Sequence, residues 1–141
     1  MDTISHAAKK ERWPTRILVA DDHSPVLDSV VPLLESYFTV VGTASDGKAA
    51  VEAEEKLHPD VVVLDISMPV LSGIDAARQI RRNGSKAPIV FLTVHQDTEI
   101  LAAARRAGGL GYVIKGRLRA DLVLAIKEAL EGRDFVSPFQ E

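Results

Sequence analysis

Cysteine is absent from the 141 residues of this chain. Its absence excludes disulfide bonds, thiolate nucleophiles and sulfur ligation of a metal, and leaves oxygen and nitrogen as the only ligating atoms. The sequence also lacks an apolar run long enough to span a membrane or to form the core of a signal peptide. We therefore expect a soluble, cytoplasmic protein that has no membrane partner.

An excess of positive charge is missing as well. The 17 basic and 20 acidic side chains give a formal net charge of −3, so no overall positive field draws the chain to nucleic acid or anionic lipid. We expect no direct nucleic-acid binding. Hydrophobic residues make up 46% and charged residues 26% of the chain, which, with its length, is typical of one globular domain.

Five short runs are rich in β-branched and aliphatic residues and predict strands. They are Ile17 to Ala20, Phe38 to Thr43, Val61 to Leu64, Ile89 to Leu92 and Tyr112 to Ile114. Several of these runs lack the alternation of a half-exposed strand, so we expect a parallel sheet that is covered by helices on both faces.

Stretches with helical spacing of apolar residues lie between and after these strands, and the clearest contains Leu118, Leu122, Ile126 and Ala129. A strand followed by a helix thus recurs five times. This order predicts an open, doubly wound α/β sheet, in which ligands bind beyond the carboxyl ends of the strands.

Three segments divide the chain. We expect an N-terminal tail over residues 1–15, a folded domain over residues 16–132, and a C-terminal linker stub or docked tail over residues 133–141. Within the domain, Pro32 lies inside the helix that is expected from Pro25 to Tyr37, where it should kink or shorten the helix.

Polar side chains follow four of the predicted strands. Asp21 and Asp22 follow the first, Asp65 the third, Thr93 the fourth and Lys115 the fifth. Because the carboxyl ends of parallel strands meet at one edge of the sheet, we expect three acids, a hydroxyl and an ammonium group to share a single pocket.

Each of these residues has an ordinary structural explanation when it is taken alone. An aspartate after a strand often caps the following helix, a threonine suits a strand, and a lysine suits a solvated loop. Their joint placement favours a site, since three adjacent carboxylates repel unless a cation or a proton compensates them. Oxygen ligands without cysteine indicate magnesium as that cation.

Four motifs, in this order and at this spacing, resemble the signature of response-regulator receiver domains of two-component signalling. They are Asp21-Asp22-His23, Asp65-Ile66-Ser67-Met68-Pro69 with Gly73, Leu92-Thr93, and Gly111-Tyr112-Val113-Ile114-Lys115. The resemblance extends from about Arg16 to about Gly132. The stretch from Ala107 to Tyr112 and the ending Phe135-Val136-Ser137-Pro138 are most similar to receivers of the NarL/FixJ/LuxR-type DNA-binding regulators.

The resemblance implies a flavodoxin-like (βα)5 fold, with a five-stranded doubly wound parallel sheet in the strand order 2-1-3-4-5. It also implies that a sensor histidine kinase or a phosphotransfer protein is the partner, and that its phosphohistidine donates a phosphoryl group to Asp65. Such a domain is a phosphoacceptor in signalling, and it catalyses only its own phosphorylation and dephosphorylation.

The family pattern also implies roles for individual residues. Asp22 and Asp65 would ligate Mg²⁺ directly, Asp21 would reach the ion mostly through water, and the backbone carbonyl of Ser67 would supply a further oxygen. Lys115 would pair with the phosphoryl oxygens.

Thr93 and Tyr112 would form the switch in the same pattern. The threonine moves towards the phosphoryl group, the aromatic ring turns inward, and the face around helix 4, strand 5 and helix 5 changes. The expected output is control of a DNA-binding effector that this chain does not contain. The alternative is a stand-alone receiver that acts by protein contact or in a phosphorelay. A homodimer formed on phosphorylation also stays open.

Other classes fit the residues less well. An aspartyl-nucleophile phosphatase on an α/β sheet requires a second acid two residues after the nucleophile, where this chain has Ser67. A flavin-binding α/β domain would give no joint purpose to the acids, the threonine and the lysine at the strand ends.

Overall fold

The computed structural model describes residues 14–138. Most of the predicted N-terminal tail, residues 1–13, and residues 139–141 of the predicted C-terminal tail lie outside the described residues. The strands are β1 Arg16–Ala20, β2 Thr39–Ala44, β3 Val61–Asp65, β4 Ile89–Thr93, β5 Gly109–Ile114 and β6 Phe135–Val136. The helices are α1 Ser24–Glu35, α2 Gly47–Leu57, α3 Gly73–Arg82, α4 Thr98–Arg106 and α5 Leu118–Leu130, with a 3₁₀ turn at Lys115–Arg117.

The strands form one parallel sheet in the order β2-β1-β3-β4-β5-β6. Strands β1 and β3 pair from Ile17 with Val61, and strands β3 and β4 pair from Val62 with Ile89. The doubly wound parallel sheet and the order 2-1-3-4-5 are therefore confirmed. The sheet gains a short sixth strand at its edge beyond β5.

Two apolar clusters lie on opposite faces of the sheet. On one face Val30 and Leu34 of α1 and Leu122 and Ile126 of α5 are fully buried against the strands. On the other face α2, α3 and α4 contribute small side chains and Ile80 of α3. Because every residue of β3 and β4 is buried, both faces of the sheet centre are covered, as the continuous apolar runs predict.

Helix α1 continues through Pro32 and ends at Glu35, two residues before its predicted end. A proline has no N–H to donate to the carbonyl four residues earlier, here that of Asp28. Both Pro32 and Asp28 are exposed, so water can reach that carbonyl and the helix tolerates the missing bond.

Strand β5 begins at Gly109, three residues before the predicted start at Tyr112. The early part was missed because Gly109, Leu110 and Gly111 have no β-branched side chain. Val136 of β6 packs on the core cluster that contains Tyr112. The part of the predicted C-terminal tail that is described is therefore docked on the sheet.

Among residues 14–138, none of the helices combines the length and the apolar character that crossing a bilayer requires.

Candidate functional site

Three carboxylates meet at the carboxyl end of the sheet. Asp21 and Asp22 follow β1 directly, and Asp65 is the last residue of β3. Asp21 and Asp65 are buried and Asp22 is exposed, and one oxygen of each lies within 4.8 Å of one oxygen of the other two. The predicted acidic cluster is therefore present in the fold, with one member open to solvent.

Lys115 lies beside these acids. It is the first residue of the 3₁₀ turn after β5, and its Nζ lies 2.8 Å from Oδ2 of Asp21 and 3.3 Å from Oδ1 of Asp65. The lysine thus bridges the two buried carboxylates. Because only 16% of its side chain is exposed, little solvent screens these ion pairs.

The neighbouring charges and the burial of the cluster shift the pKa of Asp65. Burial and the negative charge of Asp21 raise the pKa of Asp65 to about 6, although Lys115 lowers it in part. Burial would lower the pKa of Lys115, but its contacts with Asp21 and Asp65 outweigh this effect and raise it. The cluster therefore holds more negative charge than one ammonium group neutralises.

The buried carboxylate of Asp21 depends on the positive charge of Lys115. Oδ2 of Asp21 is fully buried and, apart from its ion pair with Lys115, has no hydrogen-bond partner among the described residues. A buried carboxylate oxygen without hydrogen bonds is costly unless a positive charge lies next to it. Three carboxylates, one of them exposed at the entrance, fit a hard divalent ion.

The loop after Asp65 closes tightly because of a glycine. The amide of Gly73, the first residue of α3, donates to the carbonyl of Ile66 at 2.8 Å. A Cβ atom at this position would lie 2.0 Å from the backbone oxygen of Asp65. Only glycine allows the helix to begin this close to the end of β3.

Ser67 lies on this loop, two residues after Asp65. Its amide donates a long hydrogen bond to Oδ1 of Asp65 at 3.4 Å, and its Oγ lies 3.2 Å from Nε2 of His95. The side chain therefore faces the loop after β4. The role of its carbonyl as a metal ligand stays a prediction.

The two predicted switch residues meet at His95. The Oγ1 of Thr93, a buried residue, accepts a hydrogen bond from the amide of His95 at 2.9 Å. The hydroxyl of Tyr112 donates to the carbonyl of His95 at 3.2 Å. Tyr112 is only 2% exposed, so its ring already lies inward. Burial raises its pKa, and a hydrogen bond with Thr93 opposes this.

Two sets of contacts in this region were not predicted from the sequence, although the resemblance places both Ser67 and His95 near the phosphorylation site. His95 connects Ser67, Thr93 and Tyr112 through its ring and backbone, which sequence spacing alone does not indicate. The buried pair of Ser137 and Asp121 contacts the backbone just before Lys115, through the amide of Ile114. Its only signal in the sequence is the spacing of four residues between Arg117 and Asp121, which permits an ion pair on a helix.

A comparison with protein families decides the assignment. The family model described as "Response regulator receiver domain" matches residues 17–127. The chain belongs to this family. The matched range contains the acids, Thr93, Tyr112 and Lys115 of this receiver, and it ends before β6 begins at Phe135.

Curated relatives of this receiver include transcriptional regulators. It is 39% identical over 118 residues to the transcriptional regulatory protein PdtaR of Mycobacterium tuberculosis, covering 83% of this chain and 57% of that protein. It is 33% identical over 125 residues to the response regulator GacA of Pseudomonas viridiflava, covering 87% of this chain and 58% of that protein. The receiver thus spans less than two thirds of the length of these relatives.

Solved structures show the same fold. A LuxR-family two-component response regulator from Aurantimonas sp. SI85-9A1 superposes with a TM-score of 0.84 at 37% identity, covering 89% of this chain and 91% of that one. The receiver domain of the putative response regulator NarL from Mycobacterium tuberculosis gives a TM-score of 0.81 at 31% identity, covering 86% and 99%. Relatives of the NarL/LuxR type are therefore among its homologues.

Proposed function

We propose that this receiver accepts a phosphoryl group on Asp65 from a phosphohistidine of a sensor histidine kinase or a phosphotransfer protein. The observation that carries the proposal is the placement of Asp65. Its carboxylate lies at the end of β3, within 3.3 Å of the Lys115 ammonium on one side and in the cluster with Asp21 and Asp22 on the other.

In the proposed reaction an oxygen of Asp65 attacks the phosphorus atom while the phosphorus–nitrogen bond to the donor imidazole breaks. The imidazole takes a proton as it leaves, and an acyl phosphate forms on Asp65. Lys115 pairs with the phosphoryl oxygens, because its Nζ already lies between Asp21 and Asp65. The hydroxyl of Thr93 donates to the phosphoryl group after it leaves the amide of His95.

A magnesium ion fits the acidic side of this site. Asp22 and Asp65 would hold it directly, Asp21 mostly through water, and the carbonyl of Ser67 would add a fourth contact. When bound, the ion would neutralise charge on the transferring phosphoryl group. The presence of three clustered carboxylates beside a single lysine ammonium supports this choice.

Thr93 and Tyr112 would transmit phosphorylation of Asp65 to the surface of the domain. A shift of Thr93 towards the phosphoryl group would break its bond with His95, whose carbonyl accepts from Tyr112. The face formed by α4, β5 and α5 would then change shape. Since relatives carry the names of transcriptional regulators, we propose that this face controls a transcriptional effector, in the cytoplasm, with a homodimer as one form of the phosphorylated state.

Intact mass spectrometry tests the phosphoacceptor directly. Wild-type protein, Asp65→Asn and Asp75→Asn are incubated with magnesium and phosphoramidate. Asp75 is exposed on α3 and paired with Arg78, so it is a matched carboxylate outside the site. Wild type and Asp75→Asn should gain one phosphoryl group, and Asp65→Asn should gain none. Equal gain by all three chains, or no gain by wild type with any donor, would contradict the proposal.

A further inference from the structure

The last described segment of the chain forms a buried polar network. Ser137, the residue after β6, is 1% exposed, and its amide donates to the carbonyl of Tyr112 in β5 at 2.9 Å. The next residue, Pro138, has no N–H and cannot extend the strand pairing. The side chain of Ser137 provides the next contact instead.

The Oγ of Ser137 makes two hydrogen bonds. It accepts from the amide of Ile114 at 3.1 Å and donates to Oδ2 of Asp121 at 2.7 Å. Ile114 is the residue directly before Lys115. The hydroxyl therefore holds the backbone at the point where β5 ends and the turn with the active-site lysine begins.

Asp121 fixes the other end of this turn. It lies on α5, is 5% exposed, and accepts from Nε of Arg117 at 2.8 Å and from Nη2 at 3.3 Å. Arg117 is the last residue of the 3₁₀ turn that Lys115 opens. The carboxylate of Asp121 therefore contacts both Ser137 and Arg117, the residue two positions after Lys115.

We propose that Ser137 and Asp121 are positioning residues for Lys115, which hold the turn Lys115–Arg117 from both sides and so place the lysine ammonium beside Asp65. The inference rests on the proposed function, since it assigns a role in phosphoryl transfer. It gives the residue that follows β6, at the edge of the sheet, an indirect role in the phosphoacceptor site. Ser137 itself touches no reacting atom.

The physical reason is the length of the lysine side chain. A flexible four-carbon stem reaches Asp21 and Asp65 only if its backbone stays in place. Loss of the Ser137 hydroxyl leaves the buried amide of Ile114 without its acceptor and removes one donor from Asp121. The network around the turn then has two hydrogen bonds fewer, and only one of them held the backbone before Lys115 directly. Small misplacements of a charged group near a reaction have large effects on rate.

The test measures the rate of phosphoryl uptake from phosphoramidate with magnesium, by intact mass over time. Ser137→Ala is made in the wild-type chain and in Lys115→Ala. Ser85→Ala is the matched control, because Ser85 Oγ also accepts from a backbone amide, that of Ala87, in the loop that leads into β4 at the other end of the sheet. Circular dichroism verifies that each variant is folded.

Ser137→Ala should slow uptake on the order of tenfold in the wild-type chain and cause no further slowing in Lys115→Ala, while Ser85→Ala leaves the rate unchanged. A residue that only supports the fold would slow both backgrounds by the same factor. If Ser137→Ala fails to fold, Arg117→Gln breaks the same network from its more exposed member and should show the same dependence on Lys115.

The outcomes separate the two claims. Wild-type uptake with no effect of Ser137→Ala, or with equal slowing in both backgrounds, overturns the positioning role and leaves the phosphoacceptor intact. A wild-type chain that takes up no phosphoryl group overturns the proposed function itself.

Discussion

Val70 lies in the loop between Asp65 and Gly73, and its backbone φ is 69°. A β-branched residue in this left-handed region carries strain of about 1 to 3 kcal/mol. The side chain is 76% exposed, so its own contacts do not offset that strain. The conformation is imposed by the loop, which must bring Gly73 close to the end of β3.

Replacement of Val70 by asparagine should therefore stabilise the protein. Asparagine adopts the left-handed region readily, and we expect a gain of about 1 kcal/mol in the free energy of unfolding, measured by urea denaturation. Val94→Asn is the matched control, because Val94 is 68% exposed near the same site and is not among the residues with positive φ. Equal gains in both variants would show that the strain is not the cause.

In the absence of magnesium, the ionisation of Asp65 makes the free energy of unfolding depend on pH. Its pKa is about 6 in the folded chain against an ordinary value of 3.8. Between these values the folded chain holds a proton that the unfolded chain has released, so stability falls as pH rises through this window.

The Asp65→Asn variant has no carboxylate at this position and therefore does not lose stability in this way as pH rises. Relative to wild type, its free energy of unfolding should increase by about 1 to 3 kcal/mol between pH 4 and pH 8. Urea denaturation at several pH values in the presence of a chelator measures the difference. Parallel pH curves for the two chains would contradict the raised pKa.

At the scale of elements, the junction of β3 and α3 depends on Gly73. A methyl group there would meet the Asp65 carbonyl at 2.0 Å, and the backbone of both elements has to move to relieve the contact. Gly73→Ala should lower the free energy of unfolding by at least about 2 kcal/mol. Gly116→Ala, where a Cβ meets nothing within 4 Å, should change it by less than about 0.5 kcal/mol. Thermal denaturation compares the two, and similar losses would contradict the steric argument.

The elements themselves were largely predictable, for a physical reason. Buried parallel strands such as β3 and β4 have apolar side chains on both faces, so their runs stand out in the sequence. β6 has two residues only, and its pairing depends on where the chain returns after α5. Periodicity carries no signal for such a contact between distant parts of the chain.

At the scale of the molecule, the parallel topology is what made the candidate site predictable. Once β1, β3 and β5 run parallel in one sheet, their carboxyl ends lie at the same edge, and Asp21, Asp65 and Lys115 meet there. The network of Asp121 and Ser137 was not predictable in this way. Asp121 looks like a surface residue of α5, yet it is buried and accepts a hydrogen bond from Ser137, whose position depends on where the chain returns after α5.

The charge imbalance of the whole site leads to a last prediction, on metal and stability. An ion that binds only the folded chain raises the free energy of unfolding, by about 2.7 kcal/mol at a concentration one hundred times its dissociation constant. Magnesium should therefore raise the melting temperature of wild type. Asp22→Asn should abolish most of this rise, because Asp22 is a member of the acidic cluster.

Asp22 is the suitable position for this test because it is exposed. Its substitution should change stability without magnesium by no more than about 0.5 kcal/mol, so a lost response reports the ion and not the fold. Differential scanning calorimetry at constant ionic strength, with sodium chloride replacing magnesium chloride, removes general screening from the comparison. The same rise in both chains would mean that magnesium acts elsewhere than at the cluster of Asp21, Asp22 and Asp65.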